Sequence, residues 1–176
     1  MKTYEDLYRL NGKSTRMASI IAYLRYPEYR FLVRFRRFQS GEMHQLARLL
    51  LKCSTTQTHI EIGWQTRIGK GLLLIHPYGI AVNNASTIGD NCTIYGGAII
   101  GMEFRGERRG CPKIGNKVWV GANAAIVGNI TIGDDVLIAP NAFVNFDVPS
   151  HSVVVGNPGK IVTKENATEN YIIHPI

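Results

Sequence analysis

This chain of 176 residues has no long uncharged apolar run, and its start, MKTYEDLYRL, lacks the apolar stretch of a secretory signal. Both absences argue against a membrane-spanning or exported protein and predict a cytoplasmic one. The three cysteines, Cys53, Cys92 and Cys111, are scattered and form no CxxC pair. The sequence therefore argues against a disulfide framework and a zinc knuckle. It also carries no recognised nucleic-acid reading motif, so we expect no nucleic-acid partner.

Acidic residues are scarce at the start of the chain. Residues 1–52 hold eleven Lys and Arg against four Asp and Glu, whereas the remainder holds nine of each. The whole formal net charge of +7 therefore lies in a basic N-terminal arm, residues 1–56. Within the arm, Tyr23–Gln39 interleaves Arg with aromatic and aliphatic residues, and Glu42–Lys52 places apolar residues at helical spacing. These patterns predict two or three short helices, broken near Pro27 and Gly41.

Two uses of this arm stay open. Its apolar faces are expected to pack on the rest of the protein or on a second subunit, with the arginines in water. The alternative is contact with an anionic membrane surface, a phosphorylated substrate or an acidic partner.

A repeat of six residues dominates the C-terminal half. The aliphatic residues that carry it are Ile114, Val120, Ile126, Ile132, Ile138 and Val144. A period of six fits neither an α-helix nor a single strand. It indicates a solenoid in which each hexad supplies one short strand and one turn, with the aliphatic side chain in a narrow core.

The same period extends upstream through Ile62, Ile68, Leu74 and Ile80, then after a two-residue slip through Ile88, Ile94 and Ile100. It predicts a repeat domain over residues 57–163, followed by a tail over 164–176. Between Ile100 and Ile114 the count breaks in a charged, glycine-bearing stretch, residues 102–113. We expect a loop that projects from the solenoid, which is where functional side chains are often held.

One histidine in the repeat is a candidate general base. His76 stands in an apolar run, and Glu61 precedes it by 15 residues, which is nearly one coil if a coil takes three hexads. A carboxylate at that edge would accept the proton of one ring nitrogen and leave the other nitrogen as a base. The alternative is a buried histidine that only satisfies a backbone carbonyl.

Several segments together resemble the serine acetyltransferase branch of the hexapeptide-repeat acyltransferases. They are the hexads, IGKGLLLIHPYGIAVN, the loop ending in CPKIG, VWVGANAAIVGNITIGDDVLIAPNAFV and DVPSHSVVVGNPGKIV, which span about residues 58 to 163. The resemblance implies a mainly β protein, a left-handed parallel β-helix with a short α-helical N-terminal arm, which is an exception to the right-handed crossover rule. It also implies a homotrimer with active sites between subunits, acetyl-CoA as donor and no metal.

The same resemblance implies roles for individual residues. His76 matches the catalytic base, and Glu61 stands where the family has an aspartate that orients that base. Backbone N–H groups near Gly101 and Met102 are expected to stabilise the oxyanion. The remaining matches concern the cofactor: small residues for the pantetheine groove and a basic residue for the CoA phosphate, at Gly121, Ala122, Ala139, Pro140 and Lys160.

The acceptor site departs from the serine enzymes. Ile75 stands where they carry an acid that contacts the amino acid, and Gly110 and Cys111 replace an Arg-His pair. An apolar Ile75 is a poor host for a zwitterion. With its short helical arm the chain resembles the O-acetyltransferases of capsule and exopolysaccharide assembly, and that resemblance implies a sugar hydroxyl of a capsular or extracellular polysaccharide precursor as acceptor. Serine O-acetylation is the alternative, with Arg108 or Arg109 supplying the lost charge.

Three further hypotheses remain. Cys111 lies among basic residues of the loop, which would favour a nucleophilic thiolate. A zinc hydratase on the same scaffold would need three converging histidines, of which His59 and His76 are available. The third hypothesis is a non-catalytic scaffold. The presence of His76 with Glu61 and of a groove of small residues argues against it, because a scaffold needs neither.

Overall fold

The computed structural model describes residues 2–41, Leu49 and 58–176, and it begins with three helices. They are α1 (Lys2–Asn11), α2 (Arg16–Arg25) and α3 (Pro27–Gln39). The predicted breaks are confirmed: Pro27 opens α3, and Gly41, with a φ of 79°, follows its end. The helical spacing predicted over Glu42–Lys52 lies outside the described residues except for Leu49.

Within residues 58–176, fifteen strands of two to four residues follow. They are β1 (Glu61–Ile62), β2 (Arg67–Ile68), β3 (Leu73–Ile75), β4 (Ala81–Val82), β5 (Thr87–Ile88), β6 (Thr93–Tyr95), β7 (Ile99–Gly101), β8 (Lys113–Ile114), β9 (Trp119–Val120), β10 (Ala125–Val127), β11 (Thr131–Ile132), β12 (Val136–Ile138), β13 (Phe143–Val144), β14 (Ser152–Val155) and β15 (Lys160–Thr163).

The strands form three sheets, and up to β13 every third strand joins the same one, whereas β14 and β15 both extend the sheet of β12. Sheet A is β1-β4-β7-β10-β13, sheet B is β2-β5-β8-β11, and sheet C is β3-β6-β9-β12-β14-β15. All neighbours are parallel except β14 and β15. The chain therefore winds as a three-sided parallel β-helix with three hexads to a coil, as the period of six predicts.

The residues of the hexad series fill the core of this β-helix. Ile114, Val120, Ile126, Ile132, Ile138 and Val144 are each 5% exposed or less. Burying an aliphatic side chain of this size contributes roughly 1.5–3 kcal/mol. The stacked interior is therefore the main source of stability for strands too short to persist alone.

The position of the two-residue slip was predicted wrongly. Val82 rather than Ile80 continues the inward series, since Val82 pairs with Ile62 in sheet A. Ile80 is buried one position before β4. The two extra residues therefore lie between Leu74 and Val82, in the turn that contains His76.

The predicted loop is present between β7 and β8. Glu103 and Gly110 form an antiparallel bridge at its base, and the side chains between them are exposed. The loop leans on later coils, because Asn129 N donates to the Arg108 carbonyl at 2.9 Å and the Arg108 side chain donates to the Asn145 carbonyl. It is thus an ordered projection from one edge of the β-helix.

The arm caps the first coil of the β-helix. Phe31, Leu32 and Phe35 of α3 belong to the same buried cluster as the hexad residues, which confirms the expected packing of an apolar helix face. The expectation that the arginines face water is wrong for two of them. Arg36 is buried against Asp6 and the Ile68 and Gly69 carbonyls, and Arg9 is fully buried against Thr93.

The C-terminal tail runs back along the β-helix. Ala167 and Thr168 donate to Asp135, Tyr171 packs edge-on against Trp119 at 5.3 Å, and Ile176 N donates to Asn91. The Ile173 carbonyl accepts from Arg9 of α1, so tail and arm meet. Among the helices of the described residues, none is both long and apolar enough to cross a membrane.

Candidate active site

His76 lies at the C–A edge, the edge where the chain passes from sheet C to sheet A. Its φ of 46° falls in the left-handed region, which is unusual for a residue other than glycine. The Tyr78 N–H donates to the His76 carbonyl at 2.8 Å and closes the turn. The two extra residues of this turn push His76 outward, so its side chain is exposed rather than buried. The hypothesis of a core histidine that only satisfies a carbonyl is therefore wrong.

Aromatic rings surround this turn. The His76 and Tyr95 rings meet edge-on at 6.4 Å, and those of His59 and Tyr78 lie 4.5 Å apart. The half-buried Ile75 pairs with Tyr95 in sheet C. Sequence reasoning missed Tyr78 and Tyr95 and considered His59 only as a metal ligand. The available signal was spacing, because residues about one coil apart stack at the same edge.

Glu61 is exposed on sheet A, in the coil below His76. It pairs with Ala81, the residue that begins the strand after the His76 turn. The two residues therefore lie near the same edge, in adjacent coils. No hydrogen bond or ion pair joins their side chains among the described residues of the single chain. The role of Glu61 in orienting the imidazole stays a prediction.

The C–A edge above His76 is a column of small residues. Gly96, Gly121, Ala122, Ala139 and Pro140 occupy its successive turns. The Gly97 N–H donates to Tyr78 O, Asn123 N to Gly96 O, and Asn141 N to Ala122 O. A Cβ on Gly121 would come within 2.5 Å of Pro140 N, so the turns are closely stacked.

Lys160 lies at the upper end of this column. It pairs with Val155 of β14, and the Gly156 carbonyl beside that strand accepts from Phe143 N. Lys160 is exposed. The fold thus brings His76 and the residues predicted to bind pantetheine and phosphate onto one edge. His76, the candidate base, lies at one end of it and the Lys160 ammonium at the other.

The other predicted site residues lie on the opposite edge of sheet A, the A–B edge. Gly101 ends β7, Met102 follows it, and the loop carries the rest: Arg108, Arg109, Gly110 and Cys111. An open groove of about 500 Å³ lies on sheet A. Glu61, Asn83, Ile99 and Gly101 are among the residues that line it. His76 and the loop therefore do not meet within one chain.

Cys111 is buried beneath the loop. Its Sγ donates to Asn83 Oδ1 at 3.2 Å, and burial raises the pKa of the thiol above its ordinary value. The basic neighbours in the sequence do not produce a thiolate here, because loss of water around the sulfur dominates. The burial of Cys111 therefore argues against the alternative of a nucleophilic thiolate.

Two other loop residues, Gly110 and Arg108, lie against later coils of the β-helix. Gly110 has a φ of 136°, and a Cβ there would come within 2.9 Å of Asn129 Cβ. Arg108 is tied to Asn145 O, whereas Arg109 is exposed on the loop surface. Across residues 2–41, 49 and 58–176, no group of three or more His, Cys, Asp or Glu side chains converges as a metal site would require.

A three-sided β-helix with an exposed histidine beside a column of small residues is the architecture of an acyltransferase of the hexapeptide class. Residues 111–145 match the family described as bacterial transferase hexapeptide (six repeats). The chain is 41% identical over 122 residues to the serine acetyltransferase of Helicobacter pylori, covering 68% of this chain and 70% of that protein. It is 40% identical over 119 residues to that of Staphylococcus aureus, covering 68% and 56%.

Solved structures agree in fold. The serine acetyltransferase of Neisseria gonorrhoeae in complex with serine has a TM-score of 0.75 and 31% identity, covering 92% of this chain and 67% of that one. The Brucella abortus enzyme in complex with coenzyme A has a TM-score of 0.75 and 27% identity, covering 93% and 66%. The chain belongs to the serine acetyltransferase-like branch of the hexapeptide-repeat acyltransferases, and its fold is their left-handed β-helix.

Proposed function

We propose that this chain is a serine O-acetyltransferase that moves the acetyl group of acetyl-CoA to the hydroxyl of L-serine. The observation that carries the reaction class is the exposed His76 at the foot of the small-residue column. The choice of serine rests on the relatives, which are named serine acetyltransferase.

The active site is proposed to form between the subunits of a homotrimer. His76 and the groove column lie on the C–A edge, whereas Gly101, Met102 and the loop lie on the A–B edge of the same sheet. A site that needs both sets has to take one from each of two subunits. The exposed Ile99 on the sheet between them supplies apolar surface for such a contact.

Chemistry at this site is direct transfer. His76 removes the proton of the acceptor hydroxyl as its oxygen attacks the thioester carbonyl carbon. Collapse of the tetrahedral oxyanion breaks the carbon–sulfur bond, and the imidazolium returns the proton to the CoA thiolate. Backbone N–H groups of Gly101 and Met102 stabilise the oxyanion, and Glu61 holds the imidazole tautomer.

The donor is proposed to lie along the C–A edge. The pantetheine arm needs a narrow surface without large side chains, and Gly121, Ala122, Ala139 and Pro140 provide one. The exposed ammonium of Lys160 is placed to pair with a CoA phosphate. Use of this donor also implies a cytoplasmic enzyme.

A sugar hydroxyl of a polysaccharide precursor is the second candidate acceptor. The half-buried Ile75 beside His76 and the ring of Tyr95 give the turn an apolar wall. That wall offers no carboxylate to pair with an ammonium group, whereas a sugar ring packs well on an aromatic face. On the loop side, Arg109 is an exposed cation that a serine carboxylate could pair with.

One assay distinguishes the two acceptors. CoA release from acetyl-CoA is followed with L-serine and, separately, with a panel of free, nucleotide-linked and lipid-linked sugars. We expect turnover with L-serine that exceeds hydrolysis without acceptor. Turnover with a sugar and none with serine would refute the serine proposal and leave the mechanism intact. No CoA release with any acceptor, and no thermal shift with acetyl-CoA or CoA, would refute the transferase mechanism.

A further inference from the structure

Helix α2 presents an apolar face to solvent. Met17, Ile20, Ile21 and Leu24 are between 48% and 72% exposed. Their spacing of three and four residues places them on one side of the helix. The opposite side is the packed one, where Ala22 is buried and Ser19 hydrogen-bonds the Tyr29 hydroxyl at 3.0 Å. Within the described residues, nothing buries this apolar face.

Positive charge borders the face on both sides. Arg16 and Arg25 are exposed, and their helical positions lie roughly 90° to either side of the apolar stripe. Arg30 adds a cation at the helix C-terminus, where it donates to the Tyr23 and Leu24 carbonyls. Helix α2 carries no acidic residue, and residues 2–41 hold nine Lys and Arg against three Asp and Glu.

We propose that this face of α2 docks on an anionic lipid bilayer, with its four apolar side chains in the interface and the flanking arginines on the headgroups. A helix of this kind lies in the plane of the interface and holds through apolar burial together with attraction to anionic lipid.

Charge also decides between a bilayer and a second copy of the chain. Two α2 faces that met about a two-fold axis would bring the Arg16 and Arg25 borders of both copies together. Like charges at such a contact repel, whereas an anionic surface neutralises all of them. The inference goes beyond acetyl transfer and does not depend on which acceptor is used.

Vesicle co-sedimentation of the full chain tests the proposal. We expect binding to vesicles of phosphatidylcholine and phosphatidylglycerol in about equal amounts, and little binding to phosphatidylcholine alone. Binding should weaken as salt rises, because salt screens the arginines. No binding of the unaltered chain to the anionic vesicles would overturn the proposal.

Paired variants separate the apolar and charged parts. The double variant Ile20→Ser/Leu24→Ser should lower the partition coefficient by about tenfold or more. Arg16→Gln/Arg25→Gln should lower it by about fivefold per arginine and flatten the salt dependence. The matched control is Ile161→Ser/Val162→Ser, since those side chains are also exposed but lie on β15. It should bind as the unaltered chain does.

The mass of the assembly in solution tests whether a second copy of the chain, and not a bilayer, covers the α2 face. If Ile20→Ser/Leu24→Ser binds vesicles normally, the α2 face is not the docking surface and the proposal is wrong. If this variant halves the mass of the assembly while the unaltered chain ignores vesicles, a second copy covers the face and the proposal is equally wrong. Acetyl transfer to a soluble acceptor should be unchanged in this variant. That readout also verifies its folding.

Discussion

The backbone of Gly96 lies against the carbonyl oxygen of His76, with no room for a Cβ between them. Gly96 belongs to the next coil, and its N–H donates to the Ile75 carbonyl at 3.0 Å. The strained turn that exposes His76 is therefore held in place by a neighbour without a side chain.

Gly96→Ala should displace the His76 turn and lower acetyl transfer more than it lowers stability. The added methyl group meets backbone atoms, which cannot move aside as a flexible side chain would. We expect kcat to fall by about tenfold to a hundredfold, since small misplacements of a catalytic group are costly. Steady-state kinetics and a thermal melt on the same sample measure both effects. Full activity in a folded variant would show that the turn position is not critical.

His76→Ala should lower kcat by about two to four orders of magnitude, the usual contribution of a general base, with little change in CoA affinity. Glu61→Gln should cost less, because it alters the imidazole orientation and not the base itself. Calorimetric titration of CoA and initial rates separate the two parameters. Unchanged turnover in His76→Ala would refute its assignment as the base.

Mixed trimers should show that the site is shared. Gly101→Trp places a large side chain in the sheet A groove, where a Cβ meets only ordinary contacts at 3.5 Å or more. Coexpression of this variant with His76→Ala should restore about a quarter of the wild-type activity, because randomly mixed trimers recombine one intact edge from each chain. If both edges must come from one chain, the mixture stays inactive.

Cys111→Ser should keep most of the acetyl-transfer activity. Burial raises the pKa of the Cys111 thiol and raises that of Cys92 to about 12, so neither sulfur is a thiolate at neutral pH. Alkylation of both by iodoacetamide at pH 7 should be slow in the folded protein and fast in urea. A labelled acetyl group trapped on the chain and lost in Cys111→Ser would contradict this expectation.

Asp135 should anchor the tail in a pH-dependent way. Burial acts to raise the pKa of its carboxyl, but hydrogen bonds from Thr168, His151 and Ala167 outweigh it and leave the pKa below the ordinary 3.8. The stabilisation is therefore complete above about pH 3.8 and is lost as pH falls through the lower folded pKa.

Urea unfolding of wild type and Asp135→Asn at several pH values measures this contribution. The free energy of unfolding should differ by about 1–3 kcal/mol at pH 6, and the difference should shrink under more acidic conditions. A difference that stays constant down to pH 2.5 would rule out the carboxylate as its source. Fluorescence of Trp119, which packs on Tyr171, should report tail release in the same pH range.

The fold was largely readable from the sequence, because every coil repeats one rule. An aliphatic residue every six positions specifies which side chain points inward, and the loop between Ile100 and Ile114 is visible as a gap in that count. The slip was misplaced by one turn because Ile80 and Val82 are both aliphatic and both buried. Periodicity alone cannot decide which of two nearby aliphatic residues continues the inward series.

The site was readable only in part. Spacing placed Glu61 and His76 in adjacent coils, but Tyr78 and Tyr95 gave no signal by residue type and emerged only from stacking at the edge. The sequence left a Cys111 thiolate open as an alternative, because charges nearby in sequence do not reveal burial.

By itself the sequence determined the β-helix, the projecting loop and the candidate base. The β-helix follows from the period of six, and the loop and the turn with the candidate base are places where that period is interrupted. Tertiary structure decided which residues share an edge. It separated His76 from the loop across sheet A, buried Arg9 and Arg36 between the arm and the β-helix, and left the face of α2 in solvent. Those outcomes depend on how the coils stack and where the helices dock. Contacts between residues that are distant in the sequence control both.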